Sequence, residues 1–142
     1  MEERILKQLL TNCRKSFRQI AAELKVSAAT VARKIREMEQ QGIIKGYSAR
    51  LDHEKLGYDL GAIIEITVSK GKLLEVEREI AKYSNVLAVY DVTGASDAMI
   101  IAKFKSRKEL NDLVKSLLKM EFVERTNTHV ILNTIKEDFR LV

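Results

Sequence analysis

The run Ser16-Phe-Arg-Gln-Ile-Ala-Ala-Glu-Leu-Lys-Val-Ser27-Ala-Ala-Thr-Val-Ala-Arg33-Lys-Ile-Arg36-Glu-Met38 reads as two helices and the tight turn between them. Ser16 stands three residues before Gln19, a spacing at which each side chain can satisfy the other residue's unpaired amide. Phe17, Ile20, Ala21 and Leu24 then share one face, so a short helix begins here. Lys25 and Val26 supply the turn, and Ser27 is a good N-cap for a longer helix running to Gln41. Its inward seam is Val31, Ile35 and Met38, and Gly42 can close it in a left-handed conformation. Upstream, Ile5, Leu6, Leu9 and Leu10 recur at helical spacing until Thr11, Asn12 and Cys13 interrupt them, which gives a first helix.

With ~100° of rotation per residue, the inward seam puts Ala29, Arg33, Arg36 and Gln40 on the opposite face, with Thr30 and Glu37 beside them. Small or hydroxylic residues near the start of such a helix permit close approach to a DNA major groove. Arginines further along can pair with guanine or clamp phosphate. Taken singly, such a helix could equally be a solvated amphipathic one whose charges keep the chain in solution. The short helix, turn and longer helix together point instead to DNA binding, the more so because Ile43 to Leu51 follows at once and reads as a strand or hairpin wing. Ala28, Ala29, Thr30 and Arg33 are expected at bases or nearby phosphates, with Ser27 and Lys34 in the same interface. Arg36, Lys45 and Arg50 are expected chiefly at phosphate. The amides near Ser16 could also receive a phosphate, helped by Arg14, Lys15 and Arg18.

Charge agrees with this division. Residues 1–50 hold 11 Lys/Arg against 5 Asp/Glu, a surplus of +6, while residues 51–142 hold 14 against 15, which leaves the stated net +5. A basic excess confined to the first third fits a polyanion there, nucleic acid ahead of an acidic membrane surface. At 142 residues the chain is too short for a large catalytic barrel or doubly wound enzyme core. No run of even ~18 apolar residues could span a bilayer, and Glu2, Glu3 and Arg4 fall where a secretory leader would build its apolar core, so a cytoplasmic location is expected. Cys13, His53 and His129 stand in no metal-ligand or nucleophile spacing, and no glycine-rich phosphate loop occurs. No cofactor, metal or catalytic residue is therefore expected.

From Leu60 to Val68 the chain alternates, with Ala62, Ile64, Ile66 and Val68 on one face of an expected strand. Leu73, Val76, Ile80 and Tyr83 mark a helix, Val86 to Val92 a second strand, and Ala98 to Phe104 a third, joined to the second by Gly94-Ala95-Ser96-Asp97. Leu110 to Leu118 follows Ser106 as a second helix, and Thr128 to Ile135 reads as the fourth strand. The order βαββαβ predicts a ferredoxin-like fold, so the whole is α+β: a winged helix-turn-helix followed by an antiparallel sheet with both helices on one face. Ile63, Leu87, Val89, Met99 and Ile101 are expected on the other face and are too apolar to stand wholly in water, so a partner subunit is expected to cover them; a one-residue slip would exchange the two faces. The candidate small-molecule site is Gly94, Ala95, Ser96 and Asp97 with the polar Arg125, Thr126, Asn127 and Thr128. There an acidic group could meet an amine while hydroxyls and free amides hold a carboxylate; a plain hairpin turn is the competing reading.

Ser27-Ala-Ala-Thr-Val31, Arg33-Lys-Ile-Arg36, Met38-Glu39, Gly42-Ile-Ile-Lys-Gly-Tyr47 and Leu56-Gly-Tyr58 resemble the Lrp/AsnC (leucine-responsive, feast/famine) family of transcriptional regulators, over roughly Arg4 to Glu137. The resemblance implies a winged helix-turn-helix over residues 1–50, a linker over 51–59 and a RAM-type effector-binding and oligomerisation domain over 60–142. It also implies double-stranded DNA as partner, homodimers, and higher assemblies such as an octamer. Gly94 to Asp97 matches the family's Gly-x-x-Asp loop, where amino-acid effectors bind between dimers; Ser96 stands where the family often has an aromatic residue. The leading reading is thus a sequence-specific regulator responsive to an amino acid or related metabolite. An architectural protein that coats DNA with little sequence preference, and a stand-alone amino-acid sensor, remain as alternatives.

Overall fold

The computed structural model describes residues 1–142, which divide into two compact units, Met1–Arg50 with Lys136–Val142, and Leu51–Ile135. In the first unit, helices α1 (Glu2–Thr11), α2 (Phe17–Leu24) and α3 (Ala28–Gln40) enclose Ile5, Ile20, Ala21, Leu24, Val31, Ile35 and Met38. Both reciprocal bonds of the Ser16–Gln19 capping box form, at 2.8 and 3.2 Å. The turn between α2 and α3 is made by Lys25 in the left-handed region, φ 56°, with the Val26 amide donating to the Ala21 carbonyl at 3.0 Å. Gly42, φ 71°, ends α3 in the same way, and the Ile43 amide donates to the Met38 carbonyl at 2.9 Å.

Two expectations for this unit change. The segment from Ile43 to Leu51 forms no strand or hairpin: only Ile44 packs against the three-helix core, and no second run lies beside it to complete a ladder. Residues 136–142, expected with the second domain, group with the first unit. There Phe139, Leu141 and Val142 join Leu6, Leu9 and Ile43 around an apolar cavity of about 680 Å³. The expected linker residues 51–59 group with the second unit, where the Tyr58 ring lies 4.9 Å beneath the Lys105 ammonium.

The second unit runs β1 (Leu60–Val68), α4 (Leu73–Ile80), β2 (Val86–Asp91), β3 (Ala98–Phe104), α5 (Arg107–Leu118) and β4 (Val123–Val130). The strands pair antiparallel in the order β2-β3-β1-β4. Alternation selects the faces: Ala62, Ile64, Ile66 and Val68 of β1 and Ala98, Ile100, Ala102 and Phe104 of β3 lie buried against Val76 and Ile80 of α4 and Leu110, Leu113 and Leu117 of α5. No polar or charged residue is buried in either core, so hydrophobic burial of ~1.5–3 kcal/mol per large side chain carries the fold.

Here too the sequence misleads twice. The fourth strand lies about five residues earlier than the apolar run Thr128 to Ile135, and Leu132 and Ile135 stand 96% and 88% exposed. An edge strand pairs on one side only and tolerates the polar Arg125, Thr126, Asn127 and Thr128. In β2 a bulge falls between Val86 and Ala88, so Val89 pairs with Ile100 and packs on the helix-side core instead of the open face. Ala88 and Tyr90 take that open face beside Met99 and Ile101, and Leu87 sits at the bulge, half exposed.

Candidate nucleic-acid interface and small-molecule cavity

Ser27 caps α3, its hydroxyl accepting from the Thr30 amide at 3.0 Å and sharing a 2.8 Å hydrogen bond with the Thr30 hydroxyl. Ala29 is exposed; Ala28 is half-buried and packs on the three-helix core, so it contributes less open surface than expected. One turn on, Arg33 is exposed and its guanidinium donates to the Glu37 carboxylate at 2.6 Å. The acid sits one helical turn away, the i,i+4 spacing that brings side chains together. Arg36 is exposed, its one bond a long 3.4 Å contact to the Ala32 carbonyl. Arg33, Arg36, Glu37 and Gln40 line a shallow groove on this face.

Lys34 points elsewhere. Its ammonium meets Glu2 of α1 at 2.9 Å and Glu37 at 3.2 Å, and these two carboxylates hold its pKa above the ordinary lysine value. Lys34 thus fastens α3 to α1. Ser16 is engaged in its capping box, whereas Arg18 and Lys45 are exposed and make no side-chain hydrogen bond or ion pair. Lys15 is bound to Gln8 at 2.5 Å and Glu23 at 2.7 Å. Arg50 is exposed, with the Asp138 carboxylate in its field. Tyr47 donates its hydroxyl to Glu39 of α3 at 2.9 Å; burial and that carboxylate push the phenol up to about 12, so it stays a donor. This bond ties the extended segment to α3.

The second site lies on the helix-free face of the sheet. A cavity of about 350 Å³ is lined by Glu65 and Thr67 of β1, Ala95 and Ser96 of the β2–β3 turn, and Arg125, Thr126 and Asn127 of β4. Glu65 is its acid. One carboxylate oxygen accepts from the Ser96 hydroxyl at 2.9 Å; the other meets Asn127 at 3.0 Å and His129 at 2.7 Å. The His129 hydrogen bond first, then those of Ser96 and Asn127, hold the Glu65 pKa below its ordinary value.

Asp97, expected to meet an amine, is engaged elsewhere: its carboxylate accepts from the Val68 amide at 2.8 Å while its own amide donates to the Ile66 carbonyl at 2.9 Å. Gly94, φ 114°, makes the turn but does not line the cavity, and neither does Thr128. Glu65 was missed because β1 was read for its apolar set, although one charge among branched residues was the available signal.

An exposed basic recognition-type helix and a ligand-sized cavity on a separate sheet unit are the parts of a DNA-binding regulator rather than of an enzyme. Residues 1–45 match the winged helix-turn-helix DNA-binding family, and residues 61–141 match the Lrp/AsnC ligand binding domain. The chain belongs to the Lrp/AsnC family of transcriptional regulators. It is 47% identical to an uncharacterised HTH-type transcriptional regulator of Pyrococcus furiosus, over 99% of this chain and 95% of that protein. Among solved structures, E. coli AsnC is 25% identical with a TM-score of 0.90, covering 99% of this chain and 96% of its own. B. subtilis LrpC is 27% identical with a TM-score of 0.86, covering 96% of each.

Proposed function

We propose that this chain is a sequence-specific DNA-binding transcriptional regulator of the cytoplasm, responsive to an amino acid or related small metabolite. The carrying observation is the outward face of α3, where Arg33 and Arg36 stand exposed along one groove behind the small residue Ala29. In this reading α3 enters the major groove, Ala29 and Thr30 allow close approach, and Arg33 exchanges Glu37 for a base edge or a neighbouring phosphate. Arg36, Arg18, Lys45 and Arg50 neutralise phosphate, a term that is independent of sequence and weakened by salt.

The first fifty residues carry DNA binding, and the sheet unit carries effector binding and assembly. Ile63, Ala88, Tyr90, Met99 and Ile101 share the helix-free face, with Tyr90 48% exposed, and a second copy of the chain covers them in a homodimer. Paired DNA-binding units read a two-fold related site, and higher assemblies such as octamers join such dimers. An effector in the cavity beside Glu65 changes assembly or spacing rather than chemistry.

Selection from a random duplex pool with the full chain, followed by a salt series on the winner and on a scrambled duplex, tests the reading. A regulator enriches a two-fold related sequence and prefers it by at least about 10³ at physiological salt. Affinities that coincide on both duplexes at every salt concentration would make the chain an architectural coat. Ligand binding with no DNA binding would leave only a sensor.

A further inference from the structure

The first unit also holds an apolar cavity. Leu6, Leu9 and Leu10 of α1 line it with Ile43, Phe139 and Leu141, and its volume of about 680 Å³ falls within the ~300–1,000 Å³ of small-molecule pockets. Phe139 and Leu141 stand 80% and 93% exposed even so, and the chain's own tail does not fill the space. The wall carries charge of one sign. Arg14, Lys45 and Arg50 belong to it, and no aspartate or glutamate does. Arg14 and Lys45 have no side-chain hydrogen bond or ion pair. Arg50 has Asp138 in its field, but both carboxylate oxygens of Asp138 are taken by Arg140, at 2.8 and 2.7 Å. The nearest other acid, Glu39, accepts from the Tyr47 hydroxyl at 2.9 Å.

We propose that this cavity binds an amphipathic monocarboxylate, its apolar chain against the α1 leucines and Ile43 and its head group on Lys45 and Arg50. The two halves of the wall select the two halves of the ligand. A plain hydrocarbon would leave the cations unused, and a small inorganic anion would leave the leucines in water. A second copy of the chain offers no matching charge: its exposed apolar run, Leu132 to Leu141, sets Lys136 and Arg140 against Glu137 and Asp138, a balance of zero. Lys45 and Arg50 are also the cations assigned above to phosphate. A bound carboxylate therefore competes with DNA for them, and DNA weakens carboxylate binding by the same factor. That competition rests on the regulator reading; the binding itself does not.

Cys13, the chain's one cysteine, is exposed and lines the same cavity, so its alkylation rate reports occupancy without any substitution. The full chain is titrated with hexanoate, octanoate and decanoate, and with decanol and decyltrimethylammonium, all below micelle-forming concentrations. The carboxylates should slow alkylation saturably and raise Tm, with affinity tightening about fourfold per buried methylene. Decanol and decyltrimethylammonium should bind about tenfold or more weakly than decanoate, the loss expected for one charge-assisted hydrogen bond. Lys45→Gln combined with Arg50→Gln should bring decanoate down to the level of decanol and leave decanol unchanged, and the variant's melting curve reports any loss of structure. Absence of protection by decanoate at millimolar concentration, protection independent of chain length, or equal binding of decanoate and decanol by wild type overturns the proposal. Protection that follows protein concentration without any ligand puts a second copy in the cavity and overturns it as well. Decanoate that protects Cys13 but leaves DNA affinity unchanged keeps the site and refutes the competition, whereas protection in a chain that binds no DNA keeps the site and fails the regulator reading.

Discussion

At the residue level, the side chains divide into those committed to the fold and those left for a partner. Ser27 is committed: its hydroxyl satisfies the Thr30 amide, so Ser27→Ala should cost about 1 kcal/mol and lower the first unit's Tm by about 4 °C in a thermal melt. Arg33 is held only by Glu37, and Glu37→Gln should release it and remove a negative charge from the face meant for phosphate. DNA affinity should therefore rise on every sequence, an effect that electrophoretic titration at low salt would register and that shrinks as salt is added. Glu77 is the reverse case. Burial first, and then Asp91, raise its pKa, and one of its carboxylate oxygens is buried without a partner. A raised carboxyl pKa means that ionisation opposes folding, so the penalty is absent at low pH and develops as pH rises through the ordinary glutamate range. Glu77→Gln should accordingly raise Tm modestly at pH 7, with the gain vanishing below about pH 4.

Among the elements, those whose local chemistry and apolar period agreed were legible, and those fixed by pairing partners were not. The capping box at Ser16 and the seam Val31, Ile35, Met38 define α2 and α3 before any tertiary contact is considered. The alternation in β1 and β3 likewise separated two faces, but which of them meets the helices was left to the register, and the structure buries the set with Ile64 and Ile100. The fourth strand was misread because its composition answers to an edge position, which the sequence alone does not announce, while the apolar run beyond it mimics a strand. The bulge at Leu87 was invisible for a related reason: one extra residue changes which side chains face the helices without altering the run's hydrophobicity. Five of the seven residues that line the candidate cavity, Ala95, Ser96, Arg125, Thr126 and Asn127, were legible from the turn and the polar run, but Glu65 and Thr67 enter it only through the register of β1 with β4. The α2–α3 turn yields its own prediction. Lys25 sits at φ 56°, where most side chains are strained by about 1 kcal/mol, so Lys25→Gly should leave stability unchanged or slightly higher in urea titration, whereas Lys25→Val should lower it.

For the whole molecule, two separately cored units on one chain imply a division of labour that a single substitution can expose. Ile101 lies on the helix-free sheet face, opposite Ile63 in β1 and outside the buried core. Ile101→Glu should leave the protomer folded but shift sedimentation toward monomer, with affinity for a two-fold related DNA site falling far more than affinity for a half-site. Sequence-specific regulation depends most on α3 reading base edges with Arg33. The direct test measures wild type and Arg33→Ala on a selected operator and on random duplex at matched salt. Loss of about tenfold or more on the operator, with little change on random DNA, is the predicted result. Equal losses on the two duplexes would contradict it.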